Sequence, residues 1–358
     1  MNTLTLLLAA FAMAYLLSRS FMFSIIELSD KYRLYDKANL IKLHEEKVSS
    51  LGGVAIFSVF WLLAFVFVKS DFLPLFFAGS LMLFLIGLRD DLLGVHAYFR
   101  LAVQVLVAGM LIYRGMAFPS FTAFGHTIPA WAVFFLTATF VLGVINAWNF
   151  IDGSNGLAAG LTVLSTLAFT LYFFLNGNQE LTVLSCLLTG AILGFATFNF
   201  GNRARAFMGD NGSTFTGLVL AFMVITFIRE GKHLPVSNAT LVQLCLAPLF
   251  VPLADMARVV IVRLAKGRSP FKGDRSHIHH LMKARGFSPL SIALVLMAFQ
   301  LLVIVFSVVM PLAIFAISVT LLTLIFSLYL LRKKQVADKQ TQLKPVVRQK
   351  ETLGKVAP

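Results

Sequence analysis

Long apolar segments alternate with short polar strings along this chain of 358 residues. The apolar segments run for about 17–25 residues, the length that an α-helix needs to cross the hydrocarbon core of a membrane. Lipid offers no partner for backbone N–H and C=O groups, and the segments lack the two-residue alternation of barrel strands. The pattern therefore predicts an all-α polytopic membrane protein with about eleven transmembrane helices, at residues 3–26, 51–68, 72–88, 97–113, 129–148, 157–175, 181–198, 214–228, 239–262, 291–309 and 312–331.

The charged residues give these helices an orientation. With the N-terminus outside, the inward segments contain 24 of the 30 Lys and Arg residues and the outward segments contain 4. An excess of this kind marks the cytoplasmic side under the positive-inside rule. We therefore predict an outward-facing N-terminus and a cytoplasmic C-terminus.

The same distribution accounts for the formal net charge of +14. In a soluble protein this charge would suggest nucleic-acid binding, but here it follows the topology and attracts anionic lipid headgroups. No nucleic-acid partner is therefore expected. Residues 1–331 form one predicted integral membrane domain, and residues 332–358 form a basic cytoplasmic tail that we expect to be disordered.

Four polar strings lie at predicted inner ends of the spans: RDDLLG, NAWNFIDGSNG, FMGDNGS and SPFKGDRSHIHH. The first three contain Asp90, Asp91, Asp152 and Asp210. Adjacent carboxylates repel each other, so the pair at Asp90 and Asp91 favours a bound cation or one protonated partner. Each carboxylate taken alone also fits a solvated helix end or a helix cap. Together, four hard oxygen ligands at one membrane face favour a Mg²⁺ site that also binds phosphates.

Asp255 lies inside the ninth predicted span, which Pro248 and Pro252 should kink. An ionisable residue within a membrane is by default a functional candidate. Arg258 follows three residues later on the same helix face, so the two side chains can also neutralise each other. We favour this structural pairing for Asp255.

The predicted inner loop 263–290 is strongly basic and contains His277, His279 and His280. Three interpretations are open. A Zn²⁺ site would lack the Cys or Glu ligands usual for that ion. Positive-inside character explains part of the charge. Recognition of the phosphates of a nucleotide substrate fits the basic and imidazole donors best.

Taken in order, six strings of the chain resemble one enzyme family. They are DKANLIKLHEEKVSSLGG, GLRDD, NAWNFIDGSNGLAAG, FMGDNGST, PLADM and SPFKGDRSHIHH. They are similar to strings of the polyprenyl-phosphate N-acetylhexosamine-1-phosphate transferases, the WecA/MraY-type superfamily of glycosyltransferase family 4. The SPF and HIHH elements resemble the WecA-like undecaprenyl-phosphate GlcNAc-1-phosphate transferases, and the HH-x-x-E-L element of the muramoyl-pentapeptide branch is absent.

This resemblance implies a reaction and its partners. Enzymes of the family transfer a sugar 1-phosphate from a UDP-sugar to a polyprenyl phosphate such as undecaprenyl phosphate and release UMP. They use Mg²⁺, for which Mn²⁺ is an expected substitute. UDP-GlcNAc is the first choice of donor, a UDP-linked 6-deoxy amino sugar is the alternative, and the product would begin O-antigen or a related envelope polysaccharide. Membrane lipids are further expected partners, and a homodimer is left open. The resemblance also implies insertion in the bacterial cytoplasmic (inner) membrane, so that the outward-facing N-terminus would be periplasmic.

The resemblance also implies roles for individual residues. Asp210 would be the principal Mg²⁺ ligand, helped by Asn149. Catalytic roles would fall to Asp90, Asp91 and Asp152, with one of the adjacent pair positioning or deprotonating the lipid phosphate. Substrate-binding roles would fall to nine residues, among them the uracil-stacking Phe207: Lys42, His44, Asn149, Asn155, Phe207, Arg275, His277, His279 and His280.

Four positions depart from the usual pattern of the family. Ala38 and Ile41 replace a Pro and an Arg, Tyr98 stands where a Lys is usual, and Asn155 replaces an acid. These departures leave the sugar open and keep an inactive scaffold homologue as an alternative. A transporter or flippase is the rival from another class, and it would place polar groups near the midplane and on both faces.

Overall fold

The computed structural model describes residues 2–34, 48–123, 126–231, 236–269, 276–320 and 323. Its helices, in chain order, are α1 Thr3–Tyr32, α2 Gly52–Phe67, α3 Leu73–Leu93, α4 Ala97–Tyr113, α5 Ala130–Ile151, α6 Leu157–Leu175, α7 Gln179–Asn199, α8 Gly209–Glu230, α9 Asn238–Leu246, α10 Phe250–Ala265, α11 Ile278–Lys283 and α12 Pro289–Val309. Residues 312–320 are also helical. A hairpin of two-residue strands, Thr122–Ala123 and His126–Thr127, connects α4 to α5.

Eight of the described helical segments are long and apolar enough to cross a membrane, counting α9 to α10 as one, and α2 and α4 are shorter apolar helices. The prediction of an all-α polytopic membrane protein is confirmed. The small hairpin was not predicted, since its strands are too short to show a pattern. Lys42, His44, Arg275 and the tail 332–358 lie outside the described residues.

Helix α8 lies at the centre of the bundle, because nearly all of its apolar stretch is buried. It packs against α2, α3, α5 and α6. A Cβ added at Gly217 would be 2.8 Å from the Cα of Ile145, so the absence of a side chain there lets the backbones of α8 and α5 approach closely. The helix that carries Asp210 is therefore fixed on several sides, which positions its N-terminal end rigidly.

Helices α1 and α7 pack through small residues. Gly190 and Gly194, four residues apart on α7, lie against the backbone of α1 at Phe11 and Tyr15. The hydroxyl of Ser18 donates a hydrogen bond of 2.6 Å to the carbonyl of Ala191. Glycines at this spacing allow two helices to approach closely. In lipid the hydrophobic effect does not drive helix association, so close dispersion contacts and polar contacts hold the helices together.

At the site, two helices extend beyond the predicted spans. Helix α3 continues past the predicted end at residue 88 and includes Asp90 and Asp91, and α8 begins at Gly209 rather than residue 214. Hydropathy predicts only the part of a helix that lies in the hydrocarbon core. The helix itself can continue into polar residues when their side chains have hydrogen-bonding or ionic partners. Such partners are present here, because Asp91 accepts hydrogen bonds from the start of α8.

The predicted kink in the ninth span is confirmed. A short 3-10 turn, Ala247–Leu249, separates α9 from α10. Gln300 of α12 satisfies the interrupted backbone, since its amide donates to the carbonyl of Ala247 at 2.7 Å and accepts from the N–H of Val251 at 2.9 Å. Ser165 donates to the carbonyl of Pro248 at 2.5 Å. Neighbouring helices thus supply the partners that lipid cannot.

Candidate active site

Arg100 connects two of the predicted acidic strings. Its guanidinium Nη1 lies 2.5 Å from Oδ2 of Asp90 and 2.6 Å from Oδ2 of Asp210. The second oxygen of Asp90 accepts a hydrogen bond from the backbone N–H of Val95 at 2.6 Å. Carboxylates separated by more than a hundred residues in the chain therefore share one cation at the ends of α3 and α8.

Asp91 has a different environment from its neighbour. Its Oδ1 accepts from the backbone N–H of Asp210 at 2.9 Å, and its Oδ2 accepts from the backbone N–H of Asn211 at 3.0 Å and from that residue's amide at 2.5 Å. The residue at the N-cap position of α8, Met208, supplies no side-chain cap. Asp91 therefore caps α8 from another helix and complements its dipole. The anion that these N–H groups bind is therefore Asp91.

The string after α5 faces the same helix end. Asn149 donates to the hydroxyl of Ser213 at 3.2 Å, and its side chain is within hydrogen-bonding reach of the carboxyl group of Asp210. Asp152 follows the last residue of α5 and is within hydrogen-bonding reach of the backbone N–H of Gly209. Loss of hydration, and then the nearby carboxylates of Asp210 and Asp91, raise the pKa of Asp152 well above its ordinary value. A bound cation would favour its ionised form instead.

Glycines let these elements approach closely. A Cβ at Gly53 would be 1.9 Å from Oδ1 of Asn211, and one at Gly87 would be 2.6 Å from the Cα of Asn211. Helix α2 begins beside the segment that precedes α8, because the N–H groups of Gly52 and Gly53 donate to the carbonyls of Phe207 and Met208 at 3.0 and 2.9 Å. The starts of α2 and α8 and the end of α3 therefore form one rigid unit.

The histidine string joins the site through a buried acid. Asp255 of α10 pairs with Arg258 at 2.6 Å, as predicted, but it also contacts Nδ1 of His277 at 2.9 Å and accepts from the N–H of Ile278 at 3.0 Å. The sequence analysis did not anticipate the last two contacts. His277 is therefore buried and held by protein, so only Nε2 remains for the substrate-binding role implied by the resemblance.

His279 lies against the turn that follows α5. A Cβ at Gly153 would be 2.1 Å from its Nε2. The ring is 2% exposed, and within the described ranges neither of its nitrogens has a hydrogen-bond partner. Burial lowers the pKa of His279 to about 3, so at neutral pH the ring is uncharged, with one donor and one acceptor nitrogen. The ring of His280 lies beside it at an interplanar angle of 45°, with ring centroids 4.2 Å apart.

The remaining predicted residues lie around this centre. Asn155 donates to the carbonyls of Gly201 and Asn202 at 3.3 and 3.4 Å, so its amide connects the turn after α5 to the segment before α8. Phe207 is half-buried in that segment, next to the start of α8. These observations do not test a role of Asn155 or Phe207 in nucleoside binding, which stays a prediction for both residues.

Arg100 is the main residue that the sequence analysis missed. It was counted there only as a positive charge near the inner side. The one available signal was its position in the first turn of the helix after the paired carboxylates. Local sequence does not reveal that Arg100 also faces Asp210, which lies 110 residues further along the chain.

The donor set fits Mg²⁺. Oxygens of Asp90 and Asp210 converge on one nitrogen of Arg100, and Asn149 adjoins Asp210. Among residues that the structure describes, no group of three or more His, Cys, Asp and Glu side chains could hold a metal by itself. A few hard oxygen donors suit Mg²⁺, because that ion keeps waters and binds substrate phosphates as its other ligands.

Comparisons with known proteins identify the family. A family model described as "Glycosyl transferase family 4" matches residues 73–228, which contain Asp90, Asp152 and Asp210. An undecaprenyl-phosphate alpha-N-acetylglucosaminyl 1-phosphate transferase of Escherichia coli (strain K12) is 30% identical over 287 residues, covering 76% of this chain and 76% of that protein. This chain belongs to glycosyl transferase family 4. The resemblance predicted from the ordered strings is therefore confirmed.

Other members of family 4 show the same similarity. The protein of that name from Yersinia pestis is 30% identical over 288 residues, again covering 76% of each chain. A decaprenyl-phosphate N-acetylglucosaminephosphotransferase of Mycobacterium tuberculosis is 32% identical over 249 residues, or 64% of this chain and 61% of that protein. By their names, these relatives are polyprenyl-phosphate N-acetylglucosamine-phosphate transferases, the group that the six strings of this chain resemble.

Proposed function

We propose that this chain transfers N-acetylglucosamine 1-phosphate from UDP-GlcNAc to undecaprenyl phosphate, giving undecaprenyl-diphospho-GlcNAc and UMP. The relatives named above carry this activity in their names, with an undecaprenyl or decaprenyl acceptor. The observation that carries the proposal is the convergence of Asp90 and Asp210 on Arg100, next to Asn149. The product would enter synthesis of O-antigen or a related envelope polymer.

The reaction requires one phosphoryl transfer. An oxygen of the lipid phosphate attacks the phosphorus that bears the sugar, a new P–O bond forms, and the bond from that phosphorus to UMP breaks. The lipid phosphate is already ionised near neutral pH, so it needs little activation. Catalysis then depends on placing the two substrates and offsetting their negative charge.

Each part of the site has a place in this scheme. Arg100 supplies a positive charge between Asp90 and Asp210, within reach of an incoming phosphate. Asp91 keeps the N-terminal end of α8 in position, and Asp90, with its oxygens on Arg100 and Val95, is the member of the pair that faces the site. The neutral His279 and the Nε2 of His277 would donate to or accept from the UDP-sugar.

The same proposal includes Mg²⁺, with Mn²⁺ as a substitute. Asp210 and Asn149 would hold the ion, and Asp90 is close enough to assist. When bound, the ion would offset phosphate charge and stabilise the departing UMP. The hard oxygen donors around Arg100 support this assignment.

We further propose the orientation expected from the charges. Eleven spans with a periplasmic N-terminus would place the site on the cytoplasmic face of the inner membrane, where UDP-sugars are available. The ratio of 24 inward to 4 outward basic residues supports this placement. Residues 1–331 would form the catalytic membrane domain and residues 332–358 a cytoplasmic tail.

A panel of donors tests the proposed substrate. Purified protein in detergent is incubated with undecaprenyl phosphate, Mg²⁺ and one UDP-sugar at a time. The mass of the lipid product is then measured by mass spectrometry. We expect the mass of undecaprenyl-diphospho-GlcNAc with UDP-GlcNAc. A product only with a UDP-linked 6-deoxy amino sugar would keep the reaction and replace the sugar.

A further inference from the structure

Asp255 is buried in α10, and both of its carboxylate oxygens have partners. Oδ1 accepts from Nη2 of Arg258 at 2.6 Å and from the backbone N–H of Ile278 at 3.0 Å. Oδ2 lies 2.9 Å from Nδ1 of His277. An ion pair with Arg258 alone would neutralise the charge, so the contacts with residues 277 and 278 call for a separate explanation.

Those contacts fix the start of the histidine helix. Helix α11 has six residues, and His277 at its N-cap position makes no side-chain cap. Asp255 supplies the missing acceptor from another helix, and Arg258 also donates to the carbonyl of Ser276 at 2.6 Å. Two residues of α10 therefore bind three consecutive residues, 276–278. A helix this short gains little stability from its own hydrogen bonds and depends on such contacts.

The contact with His277 also selects a tautomer. A carboxylate only accepts hydrogen bonds, so Nδ1 of His277 must carry a proton. The neutral ring then has its lone pair at Nε2 and can accept a hydrogen bond from a hydroxyl group of the donor, whereas only a ring that carries a second proton at Nε2 can donate to a phosphate oxygen. Carboxylates that orient functional histidines act in this way at metal and catalytic sites.

We infer that Asp255 is a positioning residue for the nucleoside diphosphate sugar: it fixes His277 so that Nε2 faces the donor, and it anchors α11 so that His279 rests on Gly153. The inference deepens the proposed function and rests on it. Asp255 does not touch the substrate and acts through His277 and α11. Its removal should therefore impair use of the UDP-sugar and spare use of the lipid.

A double-mutant cycle tests this route of action. The variants are Asp255→Asn, His277→Ala and the two combined, with UDP-GlcNAc and undecaprenyl phosphate varied in turn. We expect kcat/KM for UDP-GlcNAc to fall by about 10- to 100-fold in Asp255→Asn, the scale seen for carboxylates that orient metal-binding histidines. The KM for undecaprenyl phosphate should change by less than about twofold. The loss in the double variant should be smaller than the product of the two single losses, because part of the effect of Asp255 passes through His277.

A second variant tests the inference even if Asp255→Asn does not fold. In His277→Asn the amide nitrogen replaces Nδ1 and can still donate to Asp255, but nothing replaces Nε2. We expect this variant to keep the melting temperature of the wild type and to have a raised KM for UDP-GlcNAc. An unchanged KM for UDP-GlcNAc in this variant would overturn the inference.

Glu230 provides a matched control at the opposite end of the bundle. Its two carboxylate oxygens accept from the amide of Asn178 at 2.9 Å each. We expect Glu230→Gln to leave both KM values unchanged. The inference is overturned if Asp255→Asn and His277→Ala have additive effects, or if Asp255→Asn raises both KM values. Wild-type protein that releases no UMP would instead contradict the proposed function.

Discussion

His279 rests on Gly153 so closely that a methyl group on the glycine would be 2.1 Å from Nε2. This contact brings the histidine string to the turn that follows α5. Together with the bonds from Asp91 to the start of α8, it places the acidic and histidine strings at one end of the helix bundle. The site is thus assembled from segments that are far apart in the chain.

Gly153→Ala tests the importance of this contact. The added methyl group forces His279 away from the turn, and overpacking of a buried position typically costs about 1–3 kcal/mol. We expect KM for UDP-GlcNAc to rise roughly tenfold, measured by UMP release. Gly109→Ala is the control, because a Cβ at Gly109 meets nothing within 4 Å. Equal activity of the two variants would show that the position of His279 is unimportant for catalysis.

Arg100 is predicted to be essential for turnover. Replacing it by Met removes the positive charge between Asp90 and Asp210 while keeping most of the apolar stem. We expect kcat to fall by about 100- to 1,000-fold, as when one preorganised charge donor is lost. Lys should restore part of the rate, since it retains the charge but not the planar geometry of Arg.

The control for Arg100 is Arg114, which donates to the carbonyl of Asp71 away from the site. Arg114→Met should keep the wild-type kcat. A kcat near the wild-type value in Arg100→Met would remove the residue from the proposed mechanism.

The adjacent acids Asp90 and Asp91 should differ when mutated. Asp91→Asn weakens three hydrogen bonds to the start of α8, so we expect a loss of stability of about 1–3 kcal/mol. Asp90→Asn should abolish turnover with a smaller change in melting temperature. Measuring both thermal unfolding in detergent and UMP release separates the loss of stability from the loss of turnover. The opposite order of stabilities would contradict the assignment of Asp91 as the cap.

Asp210→Ala should abolish turnover while leaving the fold intact. The side chain of Asp210 contacts Arg100 and Asn149, whereas the hydrogen bonds that start α8 use its backbone N–H. A melting temperature near the wild-type value together with lost UMP release is the expected result. Activity like the wild type in Asp210→Ala would overturn the metal assignment.

Much of this architecture could be predicted from the sequence, because hydropathy and charge act locally. Apolar length predicted the membrane helices, and prolines 248 and 252 predicted the break in the ninth span. The order of the polar strings predicted the family. Apolar length, charge and proline lie within a few residues of the feature that they predict, and the order of the strings can be read directly along the chain, so a single sequence contains all of these signals.

What could not be predicted depends on contacts between distant segments. Gln300 satisfies the backbone at the proline break, and Arg100 joins Asp90 to Asp210. Asp255 was correctly paired with Arg258, three residues away, but its contact with His277 was missed. Such partners are selected by helix packing in three dimensions, and no local periodicity indicates them.

The most direct test of the central claim is UMP release by the purified protein with undecaprenyl phosphate and UDP-GlcNAc, with Mg²⁺ and after addition of EDTA. We predict release that requires the lipid, stops in EDTA and returns when excess Mg²⁺ is added. Folded protein that releases no UMP under any of these conditions would contradict the account and favour an inactive scaffold.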